Sequence, residues 1–176
     1  IMDKIVVIVT GGTFSKVYDP DKGELIIRPD MKAMIEEINR ITYLDKNINF
    51  DIYSMIGKDS LYIDDTDRDN LVYFIDKFDK NTKIVVIHGT DTINNTAKYL
   101  HENMKYNKTV VLTGSMMPYS IDPIEAVSNY TQAVKDVLSL DTGVYISMHG
   151  VVGSYRNVFK DRSKTKYDNY YFTTNK

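Results

Sequence analysis

Four short runs of the chain are apolar and largely β-branched: Ile5 to Thr10 (IVVIVT), Lys83 to His88 (KIVVIH), Thr109 to Thr113 (TVVLT) and Gly143 to Met148 (GVYISM). Continuous runs of this kind predict strands buried on both faces. Asn47 to Ser54 (NINFDIYS) alternates instead and predicts a weaker strand. Between the runs the apolar period lengthens. Met31, Met34, Ile35, Ile38 and Ile41 fall at helical spacing, with Pro29 and Asp30 at the start. Leu71, Phe74, Ile75 and Phe78 repeat that spacing after the polar stretch Asp64 to Asp69, as do Ile93, Ala97 and Leu100. Val127, Tyr130, Val134, Val137 and Leu138 do so once more, behind Asp122-Pro123. Strands alternating with helices predict an α/β fold, a parallel sheet with helices on both faces and right-handed crossovers. The last stretch, Val151 to Lys176, is charged and Tyr-rich without a clear period. It predicts a surface tail or a subunit contact.

Composition narrows the classes. The 176 residues suit one domain, so residues 1–176 are read as a single unit. Hydrophobic residues make up 43% and charged residues 26%, a globular balance. With 22 basic and 24 acidic residues the net charge is −2, which leaves no basic excess for a nucleic-acid backbone. Cysteine is absent, which removes disulfides, thiolate catalysis and cysteine-based metal sites together. No apolar run reaches the ~18 residues of a membrane span, and the start has no signal-peptide profile. A cytoplasmic chain without membrane partners is the expectation.

In an open parallel sheet, ligands bind beyond the carboxyl ends of the strands. The segments there are Thr10-Gly11-Gly12-Thr13, Ile56-Gly57-Lys58-Asp59-Ser60, His88-Gly89-Thr90-Asp91-Thr92, Thr113-Gly114-Ser115-Met116 and His149-Gly150. Each joins a glycine to a polar residue, so backbone can approach a ligand closely and free N–H groups can meet an anion. Nucleotide-binding glycine motifs and the G-x-S-x-G elbow are absent from the sequence. His88, His101 and His149 do not make a metal spacing and read as structural or exposed. What remains is a hydroxyl-rich edge. A hydroxyl nucleophile needs a base to activate it, and a lysine held by a carboxylate can serve. Taken singly, the same residues have plainer uses. Thr13, Asp59 and Ser60 could cap turns, and Thr90, Asp91 and Thr92 could open a helix.

The motifs TGGT (Thr10 to Thr13), HGTDT (His88 to Thr92) and VLTGSM (Val111 to Met116), in this order, resemble the L-asparaginase (asparaginase/glutaminase) family. Lys16-Val17-Tyr18-Asp19-Pro20 and Asp59-Ser60-Leu61 resemble its short-chain bacterial type, which lacks the C-terminal domain. The resemblance implies a flavodoxin-like three-layer α/β/α domain and hydrolysis of L-asparagine to L-aspartate and ammonia. It also implies site roles. Thr13 matches the threonine that attacks the side-chain amide. Tyr18 matches a tyrosine on a mobile loop that closes over it. Thr90 and Asp91 match the second threonine and its aspartate, and Lys160 falls where the family's lysine does. Asp59 and Ser60 match positions that hold the substrate's α-ammonium and α-carboxylate, with Gly89 and the Ser115 backbone lining the site. No cofactor or metal is implied, and a homodimer or homotetramer is expected. L-Glutamine is the nearest alternative substrate, because one methylene is worth only ~1–3 kcal/mol of discrimination. A non-catalytic amino-acid-binding module on the same scaffold is the rival from another class.

Overall fold

The computed structural model describes residues 2–105, 107–163 and 170–175. Five parallel strands form the centre of the sheet: β1 (Asp3–Gly11), β4 (Ile48–Lys58), β5 (Lys83–Ile87), β6 (Thr109–Thr113) and β7 (Gly143–Met148). Two short strands, β2 (Lys16–Asp19) and β3 (Glu24–Ile27), form a separate antiparallel hairpin after β1. The sheet order is β4-β1-β5-β6-β7, closed at one edge by an antiparallel β8 (Val151–Gly153). Numbered among themselves, the parallel strands run 2-1-3-4-5, the flavodoxin-like order. The direction in which successive strands are added therefore reverses between β1 and β5.

Alternate residues of each strand serve opposite layers. Ile5, Val7 and Val9 of β1 join Val85, Ile87 and Val111 beneath α1 (Lys32–Ile41) and α4 (Pro123–Ser139). Val6 and Ile8 join Ile84, Val86, Val110 and Leu112 beneath α2 (Asp65–Asp76) and α3 (Ile93–Asn103). Both faces are covered, which is why the strands read as unbroken apolar runs. In the first layer the Tyr130 hydroxyl donates to Asn39 Oδ1 at 2.7 Å, tying α4 to α1 across the core.

Three details differ from the periodicity. α2 begins inside the polar stretch, because Asp64 and Asp67 form a reciprocal capping box, each side chain accepting the other's backbone N–H. The helix ends at Asp76, so Phe78 lies beyond it, although it still packs on the core. The end of the chain is not only surface. It adds β9 (Val158–Asp161) and β10 (Tyr171–Thr174), an antiparallel pair whose Val158 and Phe172 are buried in the second layer. Tyr167 lies outside the described residues.

The burial contrast along α1 gives a test of this packing. Ile35 is fully buried, whereas Ile41 is 53% exposed. Ile35→Ala is expected to cost about 2–5 kcal/mol in urea unfolding, and Ile41→Ala no more than about 0.5 kcal/mol. Equal costs would contradict the assigned inner face.

Candidate functional site

Two loops meet where the strand order reverses. Val9 of β1 is in register with Ile87 of β5, so the segments that follow, Gly11-Gly12-Thr13 and His88-Gly89-Thr90, leave the sheet side by side. They meet backbone to backbone. A Cβ on Gly12 would lie 2.5 Å from Gly89 Cα, and Gly12 also takes a positive φ of 79°. Only glycine meets both demands. Thr13 and Thr90, the next residue along each loop, are thereby carried on neighbouring loops. Thr13 is half-buried and opens a 3-10 turn, Thr13–Ser15.

The loop after β4 closes a third side. Asp59 caps the 3-10 turn Ser60–Tyr62, its carboxylate accepting the Leu61 N–H at 3.0 Å. Lys16 Nζ lies 3.9 Å from the same carboxylate. Ser60 is buried, and its Oγ accepts the Thr92 N–H at 3.2 Å. The Thr92 hydroxyl donates to Ser60 O at 2.8 Å. Thr92 thus stands at the N-cap of α3 but spends its hydroxyl on the neighbouring loop. A Cβ on Gly89 would meet the Ser60 side chain at 2.7 Å, so this contact too is set by a missing side chain.

Lys160, on β9, reaches the second threonine's neighbour. Its Nζ donates to Asp91 Oδ1 at 3.0 Å, and its side chain is only 6% exposed. Arg162 Nη2 donates to the same oxygen at 3.2 Å. The Lys160 hydrogen bond, with the charges of Lys160 and Arg162, holds the Asp91 carboxyl below its ordinary value against the opposing effect of burial. The Thr90 hydroxyl donates to Met116 Sδ at 3.6 Å rather than to Lys160. Tyr18 sits on β2, 62% exposed, and makes no hydrogen bond to Thr13 among the described residues. Ser115 is buried, and its hydroxyl donates to Met117 O at 2.5 Å.

His88 anchors the central loop from below. Its Nδ1–H donates to Gly89 O at 2.8 Å, while Nε2 accepts from the Thr96 hydroxyl at 2.7 Å. Thr96 in turn accepts from Arg68 Nε at 3.0 Å. Burial pushes His88 down to about 4, with the charge of Arg68 adding to it, and outweighs the bond to Gly89. His88 is therefore a neutral structural group at neutral pH, as read from the sequence. Arg162 and Glu125 carry weight that sequence reasoning missed. Both Glu125 oxygens accept the Met116 N–H at 2.9 Å, and Oε1 also accepts the Met117 N–H at 2.9 Å.

Together these features define a three-layer α/β protein with two threonines, a buried lysine side chain paired with a more exposed aspartate, and loop amides gathered at the switch point of a parallel sheet. Comparison with known proteins gives the family. Residues 4–169 match the model described as Asparaginase, N-terminal, and the chain belongs to the asparaginase family. Over 85 residues it is 35% identical to L-asparaginase 2 of Bacillus subtilis (strain 168), covering 47% of this chain and 23% of that one. Over 80 residues it is 35% identical to a glutaminase-asparaginase of Pseudomonas fluorescens biotype A, covering 44% and 22%. The crystal structure of a probable cytoplasmic L-asparaginase from Campylobacter jejuni superposes with a TM-score of 0.74 and 25% identity. That match covers 98% of this chain and 51% of the other, so the chain spans about half the length of that relative. Among the described residues, no helix is long and apolar enough to cross a membrane.

The Asp91 cluster makes a pH prediction. A carboxyl held below its ordinary value of 3.8 stabilises the fold above that value, and the gain fades as pH falls through the lowered one. Asp91→Asn should therefore be less stable than wild type at neutral pH. The two denaturant midpoints should converge as pH drops below 3.8. A gap that stays constant into acid would contradict the ion-pair account.

Proposed function

We propose that this chain hydrolyses the side-chain amide of L-asparagine to L-aspartate and ammonia through a threonyl ester. The observation that carries the reading is the Gly12–Gly89 contact, which brings the TGGT and HGTDT loops together beside the Lys160–Asp91 pair. Thr13 Oγ attacks the amide carbon, the C–N bond breaks, and ammonia leaves with the proton that the hydroxyl gives up. Water then attacks the ester, releasing aspartate and restoring the Thr13 hydroxyl. Thr90, Lys160 and Asp91 relay the protons, with Asp91 keeping the lysine in place. Loop amides near Gly89 and Ser115 are suited to the developing oxyanion. Asp59 and Asp91 face the substrate's α-ammonium, and Ser60 lies where its α-carboxylate would be held. Tyr18, on the exposed hairpin, closes over the cleft once substrate is bound.

A glutaminase reading is the second one, favoured by the Pseudomonas relative whose name carries both activities. A cytoplasmic setting is supported by the likeness to the Campylobacter protein, itself a probable cytoplasmic L-asparaginase. An apolar patch of exposed Ile41, Pro123 and Ile124, with half-buried Val127 beside them, supports assembly as a homodimer or homotetramer.

The test is ammonia release by the purified protein from asparagine and from glutamine. Thr13→Ala should lower kcat by about 10⁴-fold or more while leaving the thermal midpoint nearly unchanged, since a loop hydroxyl carries little packing. A variant keeping more than about a hundredth of the wild-type rate would rule Thr13 out as the nucleophile.

A further inference from the structure

A half-buried polar relay runs from β10 to the loop that touches Thr90, and the proposed reaction does not use it. His149 follows β7 in the left-handed region, with a φ of 51°, a conformation that non-glycine residues hold only when their surroundings over-determine it. Three contacts do so. The His149 N–H donates to Asn129 Oδ1 at 3.2 Å, and Asn129 Nδ2 donates to Gly114 O at 2.9 Å. The imidazole Nδ1 accepts the Phe172 N–H at 3.0 Å. That bond leaves the ring proton on Nε2, which donates to Glu125 Oε2 at 2.6 Å. Burial pushes the Glu125 carboxyl up, but the His149 bond and the amides of Met116 and Met117 outweigh it and hold it below the ordinary carboxylate range. Glu125 therefore accepts from both sides as an anion.

The far end of the relay matters as much. Phe172 is buried on β10, its ring 5.9 Å from the imidazole in an edge-to-face arrangement, and its register partner on β9 is Lys160. One residue thus borders both halves of the site. Its strand pairs with the strand that presents Lys160 to Asp91. Its amide holds His149, which holds Glu125, which fixes the turn whose Met116 sulfur meets Thr90. We propose that His149 is a positioning residue that sets the Ser115–Met117 turn through Glu125, and makes that turn depend on the seating of β10 through the Phe172 amide. The kinetic consequence rests on the asparagine reading above; the mechanical coupling does not.

The experiment compares the wild-type chain, His149→Leu and His149→Gln by amide hydrogen exchange and by steady-state kinetics. Leucine removes both bonds, so protection at the Met116, Met117 and Phe172 amides should fall about 10-fold or more. Asparagine kcat should fall about 10-fold, with KM changing by less than about twofold, since the turn serves the reacting atoms rather than the α-groups. Glutamine carries one acceptor and one donor group at its tip and should restore most of both. If His149→Leu does not fold, Glu125→Gln replaces it. That variant still offers an oxygen to the Met116 and Met117 amides but turns its amide hydrogens on His149, so protection should be lost chiefly at Phe172. Unchanged exchange at these amides in the leucine variant, or failure of glutamine to restore it, overturns the proposal. Wild type that releases no ammonia from asparagine overturns the hydrolytic reading, and the exchange results still decide the coupling.

Discussion

The close approach of Gly12 to Gly89 is the constraint on which the site depends. Adjacent parallel strands place their following loops side by side, but side chains ordinarily keep such loops apart. Here a Cβ on Gly12 would sit 2.5 Å from Gly89 Cα, and one on Gly89 would sit 2.7 Å from the Ser60 side chain. With neither present, three strand-end loops pack into one surface. The register of β4, β1 and β5 sets Thr13, Thr90 and Asp59 on neighbouring loops, and a third missing side chain, at Gly11, whose Cβ would overlap Lys58 O, lets the β1 and β4 ends meet.

Charge is arranged around that surface in two separate clusters. On one side Asp91 collects Lys160 and Arg162 on a single oxygen, at 3.0 and 3.2 Å. Lysine is almost never buried without a partner, so a Lys160 side chain only 6% exposed depends on Asp91 for its placement. On the other side Glu125 gathers two backbone amides and an imidazole N–H. Both clusters lean on the β9–β10 pair, the first through Lys160 and the second through the Phe172 amide. The β9–β10 pair thus contributes to both clusters, although it adds little to the core beyond Val158 and Phe172.

How much of this could be read from the sequence follows from which forces are local. The five parallel strands and four helices were legible because both faces of the sheet are buried, and burial writes itself as unbroken or periodic apolar runs. The placement of Thr13, Thr90 and Asp91 at strand ends was legible because their motifs follow β1 and β5 directly. The β2–β3 hairpin carrying Tyr18 was not, because strands of four residues leave too short an alternation to stand out from a loop. β9 and β10 hid for the same reason, their inward residues few and set among polar neighbours. The Glu125–His149 bond joins residues 24 apart in sequence, and Arg162 meets Asp91 across 71. Partnerships at such separations are made by topology, and no local pattern announces them. Their one faint signal was His149-Gly150 at a strand end, grouped with the other polar segments but given no task.

The proposed chemistry divides the labour so that Thr13 carries the acyl group while Lys160 serves its removal. Lys160→Met keeps most of the side chain and deletes the amine, so it should slow attack by water and let the ester accumulate. The direct measurement is peptide mass spectrometry of that variant, quenched in acid shortly after mixing with asparagine. The expected product is an aspartyl group esterified to the peptide that contains Thr13, formed together with a burst of ammonia. An aspartyl group on the peptide containing Thr90, or a burst of ammonia with no ester on Thr13, would contradict that division.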